Sequence, residues 1–125
     1  MPKEIYTDKA PAAIGPYSQA IEAGDFIYLS GAIPINPETN EIAEGIKNQT
    51  VQVMENLKAI LTEANTDFSK VVKFTIYLAS LEDFAVVNEV YGGYLEKPYP
   101  ARATIEVSRL PKDVAVEIDA VVYKN

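Results

Sequence analysis

Apolar residues recur along this chain with two different periods, and the changes of period mark out its elements. Tyr17 to Ile21 and Asp25 to Ser30 carry strand-like runs that meet at Gly24-Asp25. Gly followed by Asp suits a two-residue hairpin, because glycine supplies the positive φ such a turn needs. From Gly31 to Glu44 the chain holds Pro34, Asn36, Pro37, Thr39 and Asn40, which is loop chemistry. Helical spacing then sets in. Ile46, Val53, Leu57, Ile60, Leu61 and Ala64 form a stripe, with Gln49, Gln52, Glu55, Lys58 and Glu63 off it. Asn65 is the expected stop, since Asn tolerates the left-handed conformation.

Alternation returns from Val71 to Ala79 and sets Val72, Phe74, Ile76 and Leu78 on one face. Ser80-Leu81-Glu82-Asp83 reads as a variant capping box, with Ser80 capping and the Asp83 carboxylate at the third helical position. The helix it opens puts Phe84, Val87, Asn88, Tyr91 and Tyr94 or Leu95 on one stripe, ahead of Pro98 and Pro100. Ala101 to Val107 and Val114 to Tyr123 follow as strands. The order β-β-α-β-α-β-β, with room for a short strand near Ile5, predicts one α+β domain over residues 1–125. Its two helices would cover one face of a mixed sheet. The other register of the strands holds Val71, Thr75, Tyr77, Ala115, Val121 and Tyr123. A solvated sheet face should read polar there, so the pattern predicts that a second copy of the chain covers it.

Composition narrows the chemistry. The chain has no His and no Cys, which removes imidazole bases, thiol nucleophiles, Cys/His zinc sites and disulfides. Eighteen acids against eleven bases give a net charge of −7, the wrong sign for a phosphate-neutralising surface. No GxGxxG, phosphate loop or GxSxG run occurs, and no acid spacing matches a calcium loop. The longest apolar runs, such as Phe26 to Leu29, are four residues, far below the ~20 a membrane helix needs. With no signal-like segment at the start, a cytoplasmic protein is expected, without a metal or cofactor and without a nucleic-acid partner.

Chemistry must then come from carboxylates, hydroxyls, amides and two arginines. Arg102 enters a strand behind Pro98-Tyr99-Pro100-Ala101 and shares a face with Thr104 and Glu106. It could fork a carboxylate ligand, or it could pair with a neighbouring acid at the strand edge. Glu117 faces with Asp119, away from Val116, Ile118 and Ala120. It is either a partly desolvated proton-handling group or one of two acids on a solvated face. Asn88 on its helix stripe, Ser30-Gly31 at a strand end, and Tyr17 after Gly15-Pro16 are weaker candidates for a pocket lining. Glycine at position 31 would admit a close approach.

Several stretches together resemble the YjgF/RidA family of reactive intermediate deaminases. They are Ala10-Pro-Ala-Ala-Ile-Gly-Pro-Tyr-Ser18, Ser30-Gly-Ala-Ile-Pro34, Asp83 to Tyr91, Pro100-Ala-Arg-Ala-Thr104 and Leu110-Pro-Lys-Asp-Val114 with Glu117-Ile118. The resemblance runs nearly end to end. It implies a chorismate-mutase-like fold, a homotrimer with clefts between subunits, and hydrolysis of 2-imino and 2-enamino acids to 2-oxo acids and ammonia. On that pattern Arg102 clamps the substrate carboxylate and Glu117 holds the attacking water. The Thr104 main-chain carbonyl is the water's second anchor, and Tyr17, Ser30 and Asn88 line the cleft. Two positions depart from the pattern: Thr104 stands where many members have Cys, and Ala32 where many have Gln. The alternative is a non-catalytic sensor that binds a 2-oxo acid in the same cleft. RNA cleavage, also attached to this family, fits poorly with an acidic chain lacking histidine.

Overall fold

In the computed structural model, which describes residues 1–125, six strands form one sheet and two α-helices pack on it. The strands are β1 (Lys3–Ile5), β2 (Ala20–Ala23), β3 (Phe26–Ala32), β4 (Val71–Leu78), β5 (Ala101–Glu106) and β6 (Val116–Tyr123). The helices are α1 (Ile46–Glu63) and α2 (Phe84–Gly92). Across the sheet the order is β1-β2-β3-β6-β4-β5, and every neighbouring pair is antiparallel except β4 and β5. A parallel pair needs a crossover, and the chain makes it through α2. The mixed sheet with two helices on one face is thus present.

The core lies between the helices and one sheet face. Val53, Met54, Leu57 and Leu61 of α1 meet Ile27, Leu29, Phe74, Ile76, Val116, Ile118 and Ala120, all buried. Burying a large aliphatic or aromatic side chain contributes roughly 1.5–3 kcal/mol, so this stripe is what holds α1 down. The helix stops where expected, with Asn65 at φ 61°. Gly24 has φ 61° at the first central position of the β2–β3 turn, as a type II′ hairpin requires.

Four expectations need correction. The first hairpin strand begins at Ala20, not Tyr17. The buried Gln19 side chain takes the Thr7 N–H and donates to the carbonyls of Thr7, Ala10 and Pro11, so it pins a loop that alternation cannot foresee. In β4 a bulge separates Val71 from Lys73, which puts Val71 in the core at 6% exposure and pushes Val72 out at 42%. The capping box does not form. Ser80 accepts from the Glu82 N–H, a 3-10 turn over Leu81–Asp83 intervenes, and Asp83 makes no side-chain cap. The last strand starts at Val116, since a 3-10 turn at Pro111–Asp113, with Lys112 and Asp113 at φ 57°, delays it.

The second face of the sheet carries no helix. It presents Phe26, Tyr28, Thr75, Tyr77, Glu117, Asp119, Val121 and Tyr123, in register across β3, β6 and β4. Phe26, Tyr28 and Tyr123 are exposed. No helix of the structure is long and apolar enough to cross a membrane.

Candidate active site

Arg102 and Glu117 stand on opposite faces of the sheet. Arg102 is in register with Phe74, a helix-side position, and Glu117 with Tyr77, on the other side. Thr104 is in register with the buried Ile76, so it shares the helix side with Arg102. One chain therefore holds them in separate places rather than in one cleft.

Arg102 lies in an open cleft of about 500 Å³ between β5, α2 and the segment before β5. Asn88, Tyr91, Gly92, Tyr99, Pro100 and Arg102 line it. The Arg102 Nη1 donates to Asn88 Oδ1, its one hydrogen bond within the chain. It has no carboxylate partner. The other arginine, Arg109, pairs with Asp113 at 2.7 Å, while Arg102, which lines the cleft, is in no ion pair. Glu106, the acid sharing its strand face, accepts instead from the Leu81 N–H. β5 is an edge strand. The Val107 N–H donates to the Leu78 carbonyl, so odd-numbered residues turn their main-chain groups to β4. Parallel pairing alternates, so the Thr104 N–H and carbonyl point to the open edge. The Thr104 hydroxyl is buried without a partner.

Glu117 lies in a cleft of about 330 Å³ lined also by Ile14, Tyr17, Ser30, Gly31, Ile33 and Pro111. Its parts come from the 14–17 loop, the bulged end of β3 and the middle of β6. The β3–β6 register shifts between Leu29 and Ala32, which places Gly31 against Glu117. A Cβ at position 31 would sit 2.1 Å from Glu117 Oε2, so only glycine leaves room for this carboxylate. Burial, and then the negative charge of Asp119, push the Glu117 carboxyl above its ordinary range. Asp119 is itself held by the Tyr77 hydroxyl, which donates to its Oδ2 at 3.0 Å. Ser30 Oγ donates to the Ser18 carbonyl at 2.6 Å and fixes the loop that carries Tyr17. Behind this cleft a small cavity continues past Ala32 to Asn56 and Ile60.

The six residues singled out by sequence thus separate: Arg102 and Asn88 line one cleft, Glu117, Tyr17 and Ser30 line the other, and Thr104 shares the strand face of Arg102 without lining its cleft. Tyr99, Pro111 and Ile14 were not foreseen as lining residues. Nor was Tyr91, whose ring flanks Arg102 together with that of Phe84; only the helical spacing with Asn88 could have pointed to them. No group of three or more carboxylates is arranged to hold a metal ion.

A small α+β protein with clefts of metabolite size, split between two sheet faces, is the class that fold and site define. The chain belongs to the YjgF/RidA family: the model described as Endoribonuclease L-PSP matches residues 7–124. A RutC family protein of Pyrococcus abyssi is 58% identical over the full length of both chains. The chloroplastic Reactive Intermediate Deaminase A of Arabidopsis thaliana is 47% identical, covering 94% of this chain and 63% of that one. The crystal structure of RidA from an Antarctic Psychrobacter superposes with a TM-score of 0.94 at 50% identity, over 97% of this chain and 98% of that one.

Proposed function

We propose that this chain hydrolyses reactive 2-imino and 2-enamino acids, such as those released by serine and threonine dehydratases, to 2-oxo acids and ammonia. The observation that carries the reading is a guanidinium free of any ion pair matched with one half-buried carboxylate, in a family that includes reactive intermediate deaminases. The two groups meet between copies of a homotrimer, whose assembly covers the helix-free second face and the open β5 edge. The Endoribonuclease L-PSP description of the family does not suit this chain's surface. A net charge of −7 and no histidine offer neither a phosphate track nor an imidazole base.

Arg102 forks the substrate carboxylate and so orients the adjacent iminium carbon. Glu117, with the outward-facing Thr104 carbonyl, holds a water against that carbon. As the water oxygen bonds to carbon, Glu117 takes one of its protons and the C=N electron pair moves to nitrogen. The glutamic acid then protonates the amine. The C–N bond breaks, its electrons leave with nitrogen, and the hydroxyl proton passes to Glu117 as C=O forms. Ammonia takes that proton, so iminium plus water becomes 2-oxo acid plus ammonium. An enamine enters the same route after gaining a proton at C3 from solvent. Tyr17, Ser30 and Asn88 shape the cleft around the reacting carbon.

In an assay where a dehydratase releases imine continuously, the chain is expected to raise 2-oxo acid formation above the spontaneous rate. Binding of a 2-oxo acid with no acceleration would turn the reading to a metabolite sensor using the same cleft. Gly31→Ala tests the Glu117 placement from a neighbouring position. It should lower kcat on the order of 10²-fold, the scale of an ångström-sized displacement, with the melting temperature little changed.

A further inference from the structure

Phe84, Asn88 and Tyr91 recur at i, i+4 and i+7 on α2 and all converge on one side chain, Arg102 of β5. The Arg102 Cζ lies 5.4 Å from the centre of the Phe84 ring and 5.3 Å from that of Tyr91, and Nη1 donates to Asn88 Oδ1 between them. The three differ in how far the fold itself needs them. Tyr91 is 6% exposed and stacks edge-on against Phe74 at 5.3 Å, so its ring is anchored in the core. Phe84 is 37% exposed and belongs to no aromatic pair in the core. A large apolar ring kept at the surface, with a guanidinium against it, has a role the core does not supply.

We propose that this α2 stripe is an arginine cradle, in which Phe84 and Tyr91 are positioning residues that hold Arg102 for carboxylate capture. The inference rests on the reading of Arg102 as the carboxylate clamp and adds what makes that clamp rigid. A long arginine side chain on an exposed edge strand samples many rotamers, and each bound carboxylate must freeze them. Two ring faces and one amide acceptor freeze them beforehand. Asn88 takes Nη1 toward the helix and leaves Nε and Nη2 unclaimed for a ligand's two oxygens. Lysine, with a point charge and no planar fork, would use neither the rings nor the amide in the same way.

The experiment compares two probes, 2-oxobutanoate and its neutral amide 2-oxobutanamide, titrated by NMR against the assembled protein and its variants. Phe84→Leu is expected to weaken 2-oxobutanoate about fivefold and leave the amide unchanged, since a ring–guanidinium contact of ordinary strength is lost. Phe84→Tyr should restore acid binding to within about twofold, because a ring face is again present. If Phe84→Leu weakens both probes equally, or neither, the cradle is overturned while the clamp stands. If Arg102→Ala leaves 2-oxobutanoate binding unchanged, the clamp itself falls and the cradle with it.

Discussion

Arg102→Ala is expected to lower kcat/KM by about two to three orders of magnitude while the assembly and its melting temperature persist. The magnitude follows from losing a forked, charge-assisted pair, with about tenfold in rate for each 1.4 kcal/mol. The fold should tolerate the change because Arg102 is exposed, lies on an edge strand and forms no ion pair in the chain. The dehydratase-coupled assay reads the loss, and the effect should fall mainly on KM, since the carboxylate is bound before and during reaction. A variant as active as the wild type would remove Arg102 from substrate binding. Arg102→Lys should recover only part of the loss, as it keeps the charge but not the fork.

Glu117→Gln is expected to act on the other kinetic constant. It should lower kcat about 10²–10³-fold with KM nearly unchanged, as suits a group that handles protons rather than one that binds the carboxylate. The wild-type pH profile supplies a second readout. The Glu117 carboxyl is raised by burial and by Asp119, and the base form is the anion. Activity should therefore be present above the raised value and lost as pH falls through it, with an acid limb higher than an ordinary glutamate gives. The limb should vanish in the variant. Stability carries the opposite sign. A carboxyl whose folded-state pKa is raised favours the protonated form, so the stability it contributes below the ordinary glutamate range is lost as pH rises through the raised value. Glu117→Gln should raise the melting temperature at neutral pH, and the gain should fade below the ordinary glutamate range. A variant both slow and less stable at neutral pH would contradict the burial argument.

How far the sequence carried the structure varies by element. The α1 stripe, the Asn65 stop and the Gly24 turn were legible because each rests on local geometry: helical period, a left-handed residue, a glycine φ. The grouping of Arg102 with Thr104 on one strand face was legible for the same reason. The start of β2 was not, because Gln19 diverts the chain through four long-range hydrogen bonds. Nor was the exchange of Val71 for Val72, since a bulge resets alternation without a mark in the sequence. Alternation also says which residues share a face but not which face of the sheet that is. Only the parallel β4–β5 register turns Arg102 toward the helices, and only the antiparallel β4–β6 register turns Glu117 away from them. The split site is therefore a property of topology, and a single sequence shows its residues without their separation.

That split is the centre of the account, and mixing two inactive chains tests it directly. Arg102→Ala chains keep Glu117, and Glu117→Gln chains keep Arg102. Co-expressed with different tags and purified as mixed assemblies, they rebuild a cleft with both groups wherever the right neighbours meet. For a trimer with clefts between subunits, either kind of mixed trimer holds one complete cleft of three, so the purified mixed assemblies should recover about one third of the wild-type activity per chain. Mixed assemblies no more active than either variant alone would mean that Arg102 and Glu117 do not work together across subunits.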